Sequence, residues 1–402
     1  MADADICIVG GGPAGMVAGL LFARAGLRTL VLEKHADFLR DFRGDTVHPS
    51  TLRIFDELGL LDELLAREHD EVRELRGRVA GQTIRIADFT HLPVRAPFIA
   101  MMPQWHFLAF VAEIAGRYPN FTLRRSCEAT GAIVENGRVA GVRTADGGEI
   151  RARLVLACDG RGSTLRAALD TPVKEIGAPM DVFWFRLPKQ RGAGNDTLGS
   201  FDTGRIVVLI DRGDYWQCAF VFPKGAADRV RAEGIDAFRE RVRGIGPETG
   251  DAADAIKSWD DVKLLTVAVD RLERWHCPGL LVIGDAAHAM SPIGGVGINL
   301  AVQDAVATAN ILAAPMKQGA DIDALLPLVA KRRLWPVKAT QAMQKLIQDR
   351  VIAPVLGNAV ELTRPPWPAR LLDSVDLLRR IPARLVGLGV RSEHVRSPDA
   401  RH

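Results

Sequence analysis

The stretch Ile6-Cys7-Ile8-Val9-Gly10-Gly11-Gly12-Pro13-Ala14-Gly15 constrains the fold more than any other part of the chain. A continuous apolar run suits a strand covered on both faces, as in a parallel sheet. Glycines at 10, 12 and 15 follow it and open a helical pattern. Gly10 permits the tight turn, Gly12 lets a pyrophosphate approach the backbone, and Gly15 lets the helix pack on the strand. The helix N-terminus favours the anion. A second apolar run, RTLVLE, ends in Glu33, 18 residues beyond Gly15. That spacing suits a carboxylate accepting from ribose hydroxyls. The spacing predicts a strand over 5–9, a helix over 13–26 capped by Gly26, and a strand over 28–33.

The uncharged run Ile6–Ala23 is long enough for a membrane span. Asp3 and Asp5 stand where a signal peptide carries Lys or Arg, and glycines and a proline interrupt the run. It therefore reads as part of a soluble, cytoplasmic protein. Five cysteines without framework spacing read as free thiols in a reducing compartment. No spacing suggests a metal site. The net charge of +3, without Lys/Arg runs interleaved with aromatics, gives no footprint for nucleic acid. At 402 residues, two domains are expected.

Two more apolar runs end in Gly and Asp: RLVLACDG (153–160) and LLVIGD (280–285). Aspartate at the C-terminus of a parallel strand sits on the ligand-binding edge of an open α/β sheet. Between these runs, DVFWFRLP, RIVVLI and YWQCAFVF read as an antiparallel sheet, and Arg212-Gly213-Asp214 as a hairpin turn within it. Asn136-Gly137 marks another hairpin. Residues 48–66 read as a helix capped by Ser50 or Thr51, and 103–117 as an amphipathic helix. After residue 321 the chain is mainly helical. Arg24, Arg28 and Arg53 read as solvated, His106 as packing and His288 as structural support.

GGGPAG with Glu33, then DGRGSTLR, then GDAAHAMSPIGGVGIN, in this order, resemble the class A flavoprotein monooxygenases, the p-hydroxybenzoate hydroxylase-like aromatic hydroxylases. The resemblance spans residues 4–315 and is far more specific for fold than for substrate. It implies an α/β architecture: an FAD-binding Rossmann-like parallel sheet (1–75, 98–172 and 272–320), an inserted antiparallel-sheet substrate domain (76–97 and 173–271) and a helical C-terminal region (321–402). It implies non-covalent FAD, with NADH or NADPH as a transient electron donor lacking a Rossmann domain of its own.

By this resemblance Gly10, Gly12, Pro13, Ala14 and Gly15 form the pyrophosphate turn. Glu33, with Lys34 beside it, serves the adenosine ribose. Arg43, in DFRGDTVHPST, reaches the FAD. Asp285 serves the ribityl and pyrophosphate region, and Asp159 and Arg161 serve both FAD and NAD(P)H. Pro292 and the run Gly294 to Asn299 lie beside the isoalloxazine, with Gly295, Gly297, Ile298 and Asn299 among them. Amides near Gly297 and Ile298 face its N1/O2 edge. Many members carry an arginine where this chain has Gln104, which reads either as a ribityl contact or as a helix-start amide. His48 is the candidate catalytic residue, as base or substrate contact; it reads more readily as a turn residue before Pro49.

The implied reaction consumes NAD(P)H and O2 and delivers one oxygen atom, through a C4a-hydroperoxyflavin, to an aromatic or other activated small molecule, by hydroxylation or epoxidation. The protein supplies positioning and water exclusion. Phe183, Trp184, Phe185, Trp216 and Phe220 are candidate pocket residues, of which alternation lets about half face the pocket. The alternative is an FAD-dependent reductase of polyprenyl or other olefinic lipids that does not use oxygen. A halogenase lacks its lysine, since none occurs between Lys34 and Lys174. An FAD-binding sensor has no positive feature. The expected assembly is a monomer or homodimer. The basic, leucine-rich segment 370–392 reads first as a helix capping the core, second as a membrane or lipid contact.

Overall fold

The computed structural model describes residues 2–39, 45–189, 198–202, 204–246, 249–357 and 363–401. The first unit is β1 (Ala4–Val9), α1 (Pro13–Arg24) and β2 (Thr29–Leu32). Pro13 takes the first helical position, where its missing N–H costs nothing. Ala14 to Ala23 are all buried, so the long uncharged run is a core strand followed by a core helix. Next comes α2 (Pro49–Glu57), whose N-cap is His48 rather than Ser50 or Thr51, because Pro49 pre-sets the first turn. Gly59, at φ +71°, ends this helical stretch before a short turn at 61–65.

The chain continues through β3 (Glu74–Val79), β4 (Gln82–Asp88), β5 (Ile99–Met101), α3 (Gln104–Gly116) and β6 (Phe121–Arg124). β7 (Ala129–Glu135) and β8 (Arg138–Thr144) form the expected hairpin. Asn136 and Gly137 both have positive φ, as a tight two-residue hairpin demands. β9 (Glu149–Ala157) returns to the core. Then follow β10 (Met180–Pro188), β11 (Leu198–Asp202), β12 (Arg205–Asp211), β13 (Tyr215–Pro223), α4 (Ala227–Ala232), α5 (Ile235–Arg243) and β14 (Lys263–Leu265). The last elements used below are β15 (Leu280–Val282), α6 (Gly297–Lys317), α7 (Leu326–Ile347), α8 (Trp367–Ser374) and α9 (Asp376–Gly387).

Two sheets carry the molecule. The parallel one runs β15-β9-β1-β2-β6, with Ile6 beside both Leu154 and Thr29. The strand leading to Gly10 and the two from the Gly/Asp-ended runs are therefore adjacent, with their C-terminal ends on one edge. The other sheet runs β14-β10-β13-β12-β11-β3-β4 and is antiparallel except where β11 meets β3. Helices α1 and α6 pack together against the parallel sheet. The segment Ile293–Lys317 has the length and hydropathy of a membrane span, but 83% of its apolar window is buried in this core.

Candidate active site

The glycines of the first turn separate by what a side chain would meet. A Cβ on Gly10, at φ +105°, would lie 2.3 Å from the Cys158 carbonyl oxygen. One on Gly15 would lie 1.9 Å from the Gly10 oxygen. These two are packing requirements. At Gly12 nothing lies within 4 Å of the same position, so this glycine opens onto free space beside the N-terminus of α1. Glu33 is buried. Its Oε2 accepts from the Gly11 amide at 3.0 Å and its Oε1 from the His35 amide at 2.9 Å. Lys34 is exposed, and Arg43 lies outside the described residues.

The second glycine device meets the first. Gly284, at φ +61°, a conformation that favours glycine, is closely packed: a Cβ would come 3.1 Å from that of Ala14 and 3.4 Å from that of Ala301. The Asp285 carboxylate lies 3.4 Å from Arg161 Nε, with both side chains partly exposed. Arg166 donates to the carbonyls of Asp285 and Ala286. Asp159 Oδ2 accepts from the Thr164 amide at 3.0 Å, while its Oδ1 is buried without a protein partner.

The loop after Pro292 turns through Gly294 and Gly295, both with positive φ, into α6. A Cβ on Gly295 would lie 2.3 Å from Thr46 Oγ1, whereas Gly297 at the helix start faces open space. Ile298 is buried in the core. Asn299 locks the loop to the preceding segment of the fold. Its Oδ1 accepts from the His48 amide at 2.9 Å and from Thr51 Oγ1 at 2.8 Å, and its Nδ2 donates to the Thr46 and Gly295 carbonyls.

Residues that the sequence motifs did not single out brace this device. Asp304 is fully buried on α6. It accepts from the Gly284 amide at 3.2 Å, contacts His288 Nε2 at 2.6 Å, and accepts from Arg333 Nε at 2.8 Å. Burial pushes its carboxyl up, but the His288 and Arg333 contacts outweigh that and hold its pKa below the ordinary value. Arg333, itself 0% exposed on α7, also meets Glu393. Gln344, on the same helix, donates to the Ser291 and Ile293 carbonyls. The signal was present in the sequence: a lone acid and a lone arginine on otherwise apolar helix faces. What they pair with is a tertiary fact. Arg24, expected to be solvated, instead pairs with Asp399 and the Ser397 carbonyl.

His48 is fully buried. Its Nδ1 lies 2.8 Å from the Val386 carbonyl of α9, and burial lowers its pKa to about 4. Gln104 starts α3, and its amide donates to Asp45 Oδ1. Asp45 Oδ2 lies 2.5 Å from Arg212 Nη2, both side chains being 5% exposed. Burial raises the Asp45 carboxyl in spite of that arginine. The RGD tripeptide is thus a hairpin turn, with Gly213 at positive φ, but its arginine ties the antiparallel sheet to Asp45, next to the short strand Thr46–Val47. The aromatics of the antiparallel sheet divide by face. Phe183, Phe185, Trp216 and Phe220 form a closed core with α4 and α5. Trp184 points the other way, into the cluster of Val182, Ile206, Ala219 and Val221 that Ile293 of the glycine loop also joins.

The free space at Gly12 and Gly297, the partly exposed Asp285 and the unpartnered oxygen of Asp159 lie along the ligand edge of the parallel sheet. An extended, anionic nucleotide with hydroxyl donors fits such an edge. Among the described residues no group of His, Cys, Asp and Glu has the arrangement to hold a metal ion.

Comparison with known proteins agrees. Residues 3–343 match the model of the FAD-binding domain family. The chain is 33% identical over 407 aligned residues to 6-methylpretetramide 4-monooxygenase of Streptomyces rimosus, covering 98% of this chain and 95% of that one. It is 29% identical to rifampicin monooxygenase of Streptomyces venezuelae, over 75% of this chain and 62% of that protein. Pseudomonas aeruginosa PqsL, described as a probable FAD-dependent monooxygenase, superposes with a TM-score of 0.75 at 22% identity, covering 89% of this chain and 97% of that one, which speaks to the fold. These relatives lend no support to the oxygen-independent reductase. The chain belongs to the FAD-binding family of class A flavoprotein monooxygenases and is an FAD-dependent enzyme that acts on a small molecule with O2.

Proposed function

We propose that the enzyme hydroxylates an apolar, fused-ring aromatic compound at the expense of NAD(P)H. One observation carries this reading. The apolar Trp184 face of the antiparallel sheet meets Ile293, at the root of the glycine loop that opens α6. A substrate held there lies between that face and the edge assigned to the cofactor. The relative named for 6-methylpretetramide, aligned over almost the whole chain, supports a polycyclic substrate class.

Bound FAD, once reduced by the nicotinamide, supplies oxygen activation and transfer. The chain supplies the rest. Gly12 and the N-terminus of α1 receive the pyrophosphate. Glu33, held at the end of β2 by the Gly11 and His35 amides, is assigned to the ribose. Asp285, Asp159 and Gln104 serve the sugar-alcohol chain. The amides of Gly297 and Ile298, at the N-terminus of α6, are assigned to the charge that develops on the reduced ring. Arg161, beside Asp285, is assigned to the nicotinamide nucleotide. His48, buried and tied to Val386, is a positioning residue rather than a base. The division into a cofactor part (1–75, 98–172 and 272–320), a substrate part (76–97 and 173–271) and a C-terminal part is retained as our reading. The cytoplasm is the proposed compartment, in keeping with five unpaired cysteines.

The test is NAD(P)H oxidation with and without oxygen over a panel of fused-ring phenols. Oxygen-dependent product carrying one added oxygen atom is expected. Substrate turnover under anaerobic conditions would refute the proposal.

A further inference from the structure

Helix α9 has two unlike faces. Arg379, Ala383 and Gly387 are buried against β4 and the Phe89–Leu92 turn. Ala383 shares a cluster with Met101 and Ile210. Leu377, Ile381 and Leu385 fall on the opposite side, within an arc of about 80° at 100° per residue. They are 65%, 58% and 36% exposed. Helix α8, which packs on α9 and β4, adds Trp367, 69% exposed, and Leu371, 42% exposed. A helix that only capped the core would be polar here. Arg370, Arg380 and Arg384 are exposed beside these apolar residues. On α9 the one exposed carboxylate, Asp376, is paired with Arg379. Residues 363–402 hold eight arginines against four carboxylates, a net +4 in a chain whose total is +3.

We propose that the outward face of α8 and α9 docks on an anionic lipid surface. A convex apolar ridge flanked by arginines suits the headgroup–acyl boundary, where apolar side chains sink in and guanidinium groups meet phosphates. A second copy fits less well, because the carboxylates of α8 and α9, Asp373 and Asp376, are already paired within the chain, and a two-fold contact would bring together two arginine-rich patches without acidic partners. The buried side of α9 packs on the cluster beside Trp184. Docking therefore brings the membrane to the outside of the wall that the proposed substrate space shares. The inference stands independently of which compound is oxidised.

The experiment uses the FAD-loaded full chain and sedimentation with vesicles, of phosphatidylcholine alone or mixed with phosphatidylglycerol. Binding to the mixed vesicles only, reduced by salt, is expected. Ile381→Glu and the double variant Arg380→Glu/Arg384→Glu should each weaken it by about tenfold or more, with flavin absorbance and melting temperature unchanged. If Ile381→Glu fails to fold, Leu377→Ser takes its place. Absence of binding, or binding that neither variant changes, overturns the proposal. A concentration-dependent dimer abolished by Ile381→Glu, without vesicle binding, also overturns it and assigns the face to a second copy.

Discussion

The two glycine devices reach the same place by opposite means. Residues 10–15 are braced by neighbours in their own β-α-β unit, Ile8 and Glu33, and by one backbone contact to Cys158. Residues 284–299 are held by side chains drawn from Thr46 to Glu393. A local device resists change everywhere except at the position where its partner atom is absent. A remotely braced device concentrates its vulnerability in the bracing groups. The predictions below separate the two.

The largest effect belongs to Gly10→Ala or Gly15→Ala, where the new methyl meets backbone that cannot retreat. Destabilisation beyond about 4 kcal/mol is expected, read as loss of soluble, cooperatively melting protein. For the remote device, Arg333→Met leaves Asp304 and Glu393 without their buried cation. A loss of about 3–5 kcal/mol is expected in denaturant melts, together with weaker FAD retention. If Arg333→Met melts like the wild type, the remote bracing carries no weight.

His48 gives a pH signature. In the fold it stays neutral down to about pH 4, whereas an unfolded histidine protonates near 6.5. Between those values the unfolded state binds more protons, so stability falls as pH falls through that window, by roughly 3 kcal/mol in all. His48→Gln should flatten that part of the melting-temperature profile. A profile identical to the wild type would mean that this imidazole is not the buried group responsible. Asn299→Ala removes acceptors from the His48 amide and Thr51 and should cost about 1–3 kcal/mol.

The smallest stability effect is the sharpest test. Gly12→Ala adds a methyl that meets no atom of the protein and should change stability by less than about 1 kcal/mol. The same methyl stands where the pyrophosphate is proposed, so flavin affinity should drop by at least about tenfold in equilibrium dialysis. Unchanged affinity would place the cofactor elsewhere.

Local chemistry made the cofactor edge legible. Gly10 and Gly15 pack on groups within their own β-α-β unit or the strand beside it, so spacing alone was enough to read their packing; Glu33, read as a ribose partner, is seen holding the Gly11 and His35 amides. The Asn136-Gly137 hairpin was readable for the same reason. The inserted sheet was visible as strands but not as faces. DVFWFRLP alternates correctly, yet nothing in it says whether Trp184 or its neighbours Phe183 and Phe185 look towards the glycine loop. A period of two fixes which residues share a side, and only the partner layer decides which side is which. Here α4 and α5 claim the phenylalanines, and the Trp184 face meets Ile293 of the loop together with Ile352, Val355 and Leu356.

The sequence by itself determined that this chain builds a parallel sheet whose strand ends carry glycine (Gly10), an acid (Glu33) or both (Asp159-Gly160 and Gly284-Asp285). Backbone conformation and close approach are demands a single residue type can meet. Tertiary structure alone decided what holds the distal half in place. A buried charge such as Asp304 is tolerable only when partners surround it, and those partners come from two separate stretches of chain: the Gly284 amide and His288 from the turn after β15, and Arg333 from α7.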